Sequence, residues 1–325
     1  MNNGCVLVTG GAGYIGSHVA LALLDAGWSV VVVDNLSTGL RALTPAKARF
    51  IYGDAGNVEL VSGLLQKYRC EAVLHFAGST VVPDSVSDPL AYYHNNTAVS
   101  RALIAACVMA QVKRLVFSST AAVYGNPARL PVDEAEPPRP ITPYGTSKLM
   151  TELMLRDVAA ACPLRYVALR YFNVAGADPA RRSGQSTPNA THLVKVACEV
   201  ATGKRDGMTV FGTDYETPDG TCIRDFIHVT DLAAAHLAAL DHLMAGGDSE
   251  VLNCGYGRGF SVRQIVAATE RLAGRALNVA AGPRRRGDIV SMVADTARIR
   301  ARLNWQPRYD DLEAIVGSAL AWEGR

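Results

Sequence analysis

The chain has 325 residues, 49% of them hydrophobic, enough for one large domain or two unequal ones with a sizeable core. Its 32 basic and 30 acidic side chains nearly cancel, and a net charge of +2 exerts no broad pull on nucleic acid or membranes. Cys5, Cys70, Cys107, Cys162, Cys198, Cys222 and Cys254 are scattered without a CxxC pair, which argues against a disulfide framework or a zinc cluster and fits a reducing cytosol.

The start, MNNGCVLVTG, carries no charged leader and too short an apolar run for a signal peptide, and no later run approaches the length of a membrane span. Apolar, β-branched runs then alternate with helical patterns. CVLVTG is followed by a helix over IGSHVALALLDAG, then by SVVVVD, ARFIYGD and a short helix around ELVSGLLQKY. EAVLHFAG and KRLVFSST are separated by a long helix of roughly Pro89 to Gln111. The Pro-rich stretch from Asn126 to Pro143 reads as a surface loop, ending on a proline that suits the first turn of a helix. That helix runs on from Tyr144, and LRYVALRYFN follows as a strand. Strand and helix in repeated alternation predict an α/β fold, a doubly wound parallel sheet buried on both faces. The pattern loosens after Asn173. Thr187 to Gly203 and Asp231 to Met244 read as helices, VFGTDY as a strand, TPDGT as a turn and GPRRRGD as a basic loop. VLNCG reads as one more strand of the large sheet. The expected division is residues 1–173 and 174–325, with the strand near 250–254 returning to the first part. No internal repeat is present.

VLVTGGAGYIG places Gly10, Gly13 and Gly16 between an apolar strand and an apolar-periodic helix. In that context the first glycine permits a tight turn, the second admits a pyrophosphate and the third lets helix pack on strand. The helix N-terminus then faces the phosphates. Asp34 ends the next strand, where a carboxylate accepts hydrogen bonds from an adenosine ribose and repels a 2′-phosphate, which points to NAD. Asp54, at the end of the third strand, is a neighbour for the adenine or an ordinary solvated residue.

TPYGTSK sets Tyr144 and Lys148 four apart, on one face at the start of a helix. A free phenol, with a pKa near 10, is a poor base at neutral pH. A nearby ammonium and the positive nicotinamide of NAD favour the phenolate, which makes Tyr144 a general base for a sugar or alcohol hydroxyl. An exposed helix pair is the plainer reading of the same spacing, but its place after the hydroxyl-rich strand LVFSST decides for the base.

The glycine motif, FSSTAAVYG, PYGTSK, RYFN and GTCIRDFIHV together resemble the extended short-chain dehydrogenase/reductases, and among them the UDP-glucose 4-epimerases, over nearly the whole chain. The resemblance implies a Rossmann-type NAD-binding domain and a smaller α/β domain for a UDP-sugar. It implies Tyr144 as acid/base, Lys148 beside it and on the nicotinamide ribose, and Thr120 as the hydroxyl bridging sugar and tyrosine. A strand-end Thr capping a backbone group is the other reading of Thr120. Cofactor contacts fall on Gly10, Gly13, Tyr14, Ile15, Gly16, Asp34, Asn35, Asp54, Ala55, Phe76, Ala77, Gly78, Asn95, Lys148 and Phe172. Asn95 reads equally as a helix-start residue, and Thr80 stands where some relatives have a Lys. Substrate contacts fall on Thr120, Tyr144, Asn173, Thr209, Val210, Phe211, Arg224, Arg285 and Asp288. Arginines suit diphosphate recognition, while a solvated loop is the plainer reading of Arg284 to Arg286, of which one is expected to function. Thr191 and His192 replace an Asn-Asn pair, so their roles stay open. A helix-start residue is the reading favoured for His192.

The activity so implied is reversible C4 epimerisation of UDP-galactose and UDP-glucose through a 4-keto sugar and enzyme-bound NADH. Met292 stands at the position that sizes the pocket for a 2-acetamido group, which leaves UDP-N-acetylhexosamine and UDP-pentose open. A net NAD-dependent dehydrogenase is a further alternative, because Tyr and Lys do not fix where the hydride ends. A 4,6-dehydratase is disfavoured because Ala121 and Ala122 stand where that class carries an acid and a base. An NAD sensor without catalysis would not require the base. No metal is expected. The resemblance also implies a homodimer, paired through the helices around Pro89 to Gln111 and Tyr144 to Ala161, in the cytoplasm.

Overall fold

A computed structural model describes residues 3–187, 190–285 and 288–325. The N-terminal half alternates as expected: β1 (Cys5–Thr9), α1 (Tyr14–Asp25), β2 (Ser29–Asp34), β3 (Arg49–Tyr52), α2 (Val58–Lys67) and β4 (Cys70–His75). After α3 (Val82–Ser87), which the sequence did not announce, the predicted long helix is a composite. It comprises α4 (Pro89–Tyr92), a π-helical turn over Tyr93–Ala98, and α5 (Val99–Met109). β5 (Arg114–Thr120), α6 (Pro143–Ala161) and β6 (Arg165–Tyr171) complete this half.

The chain continues with β7 (Asn173–Ala175), α7 (Leu193–Ala201), β8 (Met208–Phe211), β9 (Ile223–His228), α8 (Val229–Met244) and β10 (Glu250–Cys254). It ends with β11 (Gly259–Ser261), α9 (Val262–Ala273), β12 (Val279–Gly282), β13 (Ser291–Met292), α10 (Ala297–Leu303) and α11 (Leu312–Glu323). Two expectations are corrected here. The helix expected from Thr187 starts at Leu193, and Pro188 and Asn189 within that span lie outside the described residues. The strand expected over VFGTDY ends at Phe211, because Gly212 turns the chain with φ 76°.

Seven strands form one parallel sheet in the order β10-β6-β5-β4-β1-β2-β3. Alternation along each strand builds both faces. In β1, Val6 and Val8 join α1 and α8 in one core, while Cys5 and Leu7 join α2, α5 and α6 in the other. The remaining strands make two small sheets, one in which β9 pairs with β7, β11 and β13, and one of β8 with β12. The segment expected as a surface loop is partly interior: Val132 is 1% exposed, its N–H donates to Val293 O, and its carbonyl accepts from Asn253 Nδ2. Among the described residues, no helix is long and apolar enough to cross a membrane.

Candidate active site

Strand order reverses between β1 and β4, where the chain leaves one strand for α1 and the other for the Phe76–Gly78 loop, so a crevice opens at the C-terminal ends. The three glycines there differ in why they are glycine. Gly10 has φ 68°, and a Cβ on it would lie 2.6 Å from the Ala77 nitrogen. A Cβ on Gly16 would lie 2.2 Å from Gly10 O, so the helix can meet the turn only without a side chain. Gly13 is different. Its φ is −82°, which any residue adopts, and a Cβ there would meet only Gly10 O, at 3.2 Å. A methyl here would press on Gly10 O far less than one at Gly10 or Gly16 presses on backbone, and a bare backbone at this point gives a pyrophosphate room to approach. The N-terminus of α1 carries no side-chain cap, which leaves its first N–H groups for an anion.

Asp34 is buried at the end of β2. Its Oδ2 accepts from Ala12 N at 2.9 Å and its Oδ1 from Leu36 N at 2.8 Å, so it braces the glycine turn. A carboxylate has further lone pairs for a ribose. Beside it, Asn35 Nδ2 lies 3.5 Å from Asp54 Oδ2, and Asp54 Oδ1 accepts from Gly56 N at 2.6 Å, next to the buried Ala55. The Tyr14 phenol donates to Gly176 O at 2.6 Å, so its hydroxyl is spent on the fold. Ile15 packs against the core under the helix start. Phe76 packs on His236, with ring centroids 4.8 Å apart. Thr80 is exposed.

Asn95 is not a helix-start residue. It sits in the π-helical turn and donates to Ser79 Oγ at 2.8 Å. Its neighbour Asn96, which sequence reasoning missed, is the stronger tie. Its Oδ1 accepts from Ser79 N at 2.7 Å, and its Nδ2 donates to Ser79 O and to Ser147 Oγ. It thereby joins the loop after β4 to α6. Two asparagines inside an otherwise apolar helical pattern were the available signal, since Asn favours a helix interior only when its side chain bonds elsewhere.

β5 ends at Thr120, whose Oγ1 accepts from Ala122 N at 3.1 Å to cap a 3₁₀ turn over Ala121–Tyr124. α6 begins one residue after Thr142, which caps it through Gly145 N, with Pro143 in the first turn. A Cβ on Gly145 would lie 2.5 Å from Ala122 O, so the helix start packs tightly on the turn that follows Thr120. That contact sets the Thr120 hydroxyl against the half-buried Tyr144 phenol. Burial pushes the phenol up and the Thr120 hydrogen bond pulls it down. Lys148 is buried one turn on. Its Nζ donates to Ser118 O at 2.9 Å and lies 5.1 Å from the centre of the Phe117 ring. Desolvation brings its pKa down to about 8. In this geometry the hydrogen bond with Thr120 favours the Tyr144 phenolate against burial. The ammonium is anchored on a main-chain carbonyl.

On the other side of the crevice, β6 leads through buried Phe172 to exposed Asn173. Phe172, Tyr124, Ala121 and the buried Met292 form one apolar cluster. Strand pairing sets Met292 beside Arg224, whose Nη1 donates to Ile223 O at 2.9 Å. Along β8 the side chains alternate: Thr209 and Phe211 are exposed, whereas Val210 is buried, so its side chain lies on the opposite face from theirs. Arg285 lies 4.9 Å from the Phe211 ring centre and pairs with Asp288 Oδ2 at 3.1 Å, which brings three expected residues together. Arg284 pairs with Asp214 instead, and Arg286 lies outside the described residues. Thr191 is exposed, and His192 caps the start of α7 by position, with Nδ1 2.8 Å from Gln185 Nε2.

A switch-point crevice with a ligand-shaped glycine turn on one side and a hydroxyl, phenol and ammonium on the other defines a Rossmann-type dinucleotide-dependent enzyme of the extended short-chain dehydrogenase/reductase kind. The family model for the NAD dependent epimerase/dehydratase family matches residues 6–255, and the chain belongs to that family. It is 57% identical over 318 residues to a UDP-glucose 4-epimerase from Azospirillum brasilense, covering 98% of this chain and 91% of that one. The fold is similar to the crystal structure of UDP-glucose 4-epimerase from Brucella ovis in complex with NAD, with TM-score 0.96, 46% identity and coverage of 99% and 98%. It is also similar to the enzyme from Bifidobacterium longum in complex with NAD+ and UDP, with TM-score 0.93, 37% identity and coverage of 98% of each chain.

Proposed function

We propose that the protein interconverts UDP-galactose and UDP-glucose at C4 through a transient 4-keto sugar, using tightly held NAD. The observation that carries this reading is the convergence of Thr120, Tyr144 and Lys148 beside the glycine turn. The glycine turn and the uncapped start of α1 fit the pyrophosphate, Asp34 the adenosine ribose, and Lys148 the nicotinamide ribose. Asn35, Asp54, Ala55, Phe76, Ala77, Gly78, Asn95 and Phe172 would line the rest. Bound NAD would supply a hydride acceptor and donor at C4, so that oxidation and reduction cancel.

Tyr144 takes the proton of the sugar 4-hydroxyl and later returns it. Burial alone would hold its phenol protonated, so the base form depends on Thr120 and on positive charge brought near it. The sugar must present both faces to one base. That requires a firm grip on the nucleotide and a loose one on the hexose. Arg224, Arg285 and Asp288, with Phe211 and Thr209, offer that grip at the UDP end, and Asn173 a single polar contact nearer the sugar. Ala121 is buried and Ala122 carries only a methyl, so neither moves the protons a dehydratase needs.

The same reading divides the chain at residue 173, with β10 serving the first part. It places the protein in the cytoplasm, in galactose metabolism, as a homodimer. Exposed Met150 and Leu153 on α6, and Val108 and Met109 on α5, support a pairing face. The test is Tyr144→Phe. It should lower turnover about 10²- to 10⁴-fold while UDP binding, measured by calorimetry, stays within a factor of a few. Turnover within threefold of wild type would remove Tyr144 from the mechanism.

A further inference from the structure

Cys5 and Cys70 open β1 and β4, and they are register partners on those adjacent parallel strands. Their sulfurs lie 3.5 Å apart. Both side chains are almost covered, at 9% and 7% exposure. The ladder shifts register between Cys5 and Val6, so the pair sits at an irregular point of the sheet, with its sulfurs within about 1.5 Å of disulfide bonding distance.

Cys5 also forms part of the wall of a groove of about 730 Å³, beyond the N-terminal ends of the sheet and opposite the candidate active site. Lys47, Arg49 and Arg69 line that groove with Tyr68, against one acid, Glu71. Three cations to one carboxylate favour an anionic visitor. Cys70 does not line the groove, although its neighbours Arg69 and Glu71 do. The two thiols share one hydrogen bond, and because only Cys5 opens on the groove it is the attacking sulfur and Cys70 the resolving one.

We propose that Cys5 and Cys70 form a dithiol modification site, which an anionic low-molecular-weight disulfide reaches through this groove and oxidises to an intramolecular disulfide. The Cys5 thiolate attacks one sulfur of the reagent, the reagent's S–S bond breaks, and one reagent thiolate leaves. Cys70 then gives up its proton and attacks the Cys5 sulfur of the mixed disulfide, expelling the second thiolate. Two protein thiols are oxidised, one reagent disulfide is reduced to two thiols, and the two thiol protons end on the products. The bond would tie together the far ends of the two strands whose near ends carry Gly10–Gly16 and Phe76–Gly78.

The test treats the full chain with glutathione disulfide, blocks remaining thiols with N-ethylmaleimide, and maps the cysteines by mass spectrometry. Formation of a Cys5–Cys70 cross-linked peptide is expected. In Cys70→Ser a stable mixed disulfide should collect on Cys5, and in Cys5→Ser residue Cys70 should stay alkylatable. The neutral bis(2-hydroxyethyl) disulfide should react about tenfold more slowly than the anionic reagent, with the gap closing in high salt. The proposal is overturned if both thiols stay alkylatable while the half-buried Cys162 is modified, or if Cys70 rather than Cys5 takes the mixed disulfide. Equal rates for the two reagents would overturn the role given to the cationic groove.

Discussion

Gly10, Gly13 and Gly16 look equivalent in a motif but not in the fold. An added methyl at Gly10 or Gly16 would strike backbone, at 2.6 and 2.2 Å, so alanine there should destabilise the protein itself. At Gly13 a methyl would meet Gly10 O at 3.2 Å. Gly13→Ala should therefore lower the melting temperature far less than alanine at Gly10 or Gly16, and yet lose most of the dinucleotide that co-purifies, measured after acid release. A variant that unfolds, or one that keeps its full complement of NAD, would contradict this account of the turn. The residues legible in the sequence were those tied to local spacing: the glycines, Asp34 at a strand end, Tyr144 with Lys148. Asn96 and Glu152 were not legible, because what defines them is a partner far away in the chain. Asn96 holds Ser79 and Ser147, and Glu152 holds Ser119 and Arg170.

α6 shows how one element sets the catalytic distances. One turn after Lys148, the buried Glu152 accepts from Arg170 Nε at 3.0 Å and Nη2 at 2.7 Å, and from the Ser119 hydroxyl. Arg170 also lies over the Tyr124 ring, 4.8 Å from its centre. The pair thus fastens α6 to the ends of β5 and β6, next to Thr120 and three residues before Asn173. Removing one member leaves a buried charge without its partner, which costs about 3–5 kcal/mol. Glu152→Leu should lose that much in urea unfolding, and Glu152→Leu with Arg170→Met should recover much of it. A single variant that loses less than about 1 kcal/mol would show the pair to be dispensable. Long elements with a repeated apolar pattern were legible. β7, β9 and β13 were not, because β7 and β13 are only three and two residues long and the polar residues of β9 break its apolar run. The π-helical turn over Tyr93–Ala98 was equally hidden, since one extra residue in a turn leaves no fixed mark in the residue pattern.

At the scale of the whole molecule, buried neutral histidines couple stability to pH. Burial lowers His18 and His236 to about 4, and His75 and His228 to about 3. Each binds its proton more readily in the unfolded chain, so stability is present above about pH 6.5 and is lost as pH falls towards those values. Asp225, raised by burial to about 6, has the opposite sign and offsets about one proton. Four such histidines outweigh Asp225, so stability should fall steeply as pH drops from 6 towards 4. Urea unfolding at a series of pH values should show it, and a flat profile across that range would contradict the burial of these rings. The seven-stranded sheet was foreseeable from alternation alone, whereas the way β9 gathers the C-terminal half was not. Epimerisation by transient oxidation requires a cofactor that never leaves. The most direct measurement supplies UDP-galactose to the purified protein with no added cofactor, following the sugars by NMR and absorbance at 340 nm together. The account predicts UDP-glucose approaching equilibrium with no bulk NADH. NADH that accumulates only when NAD is added would make the protein a net dehydrogenase and contradict it.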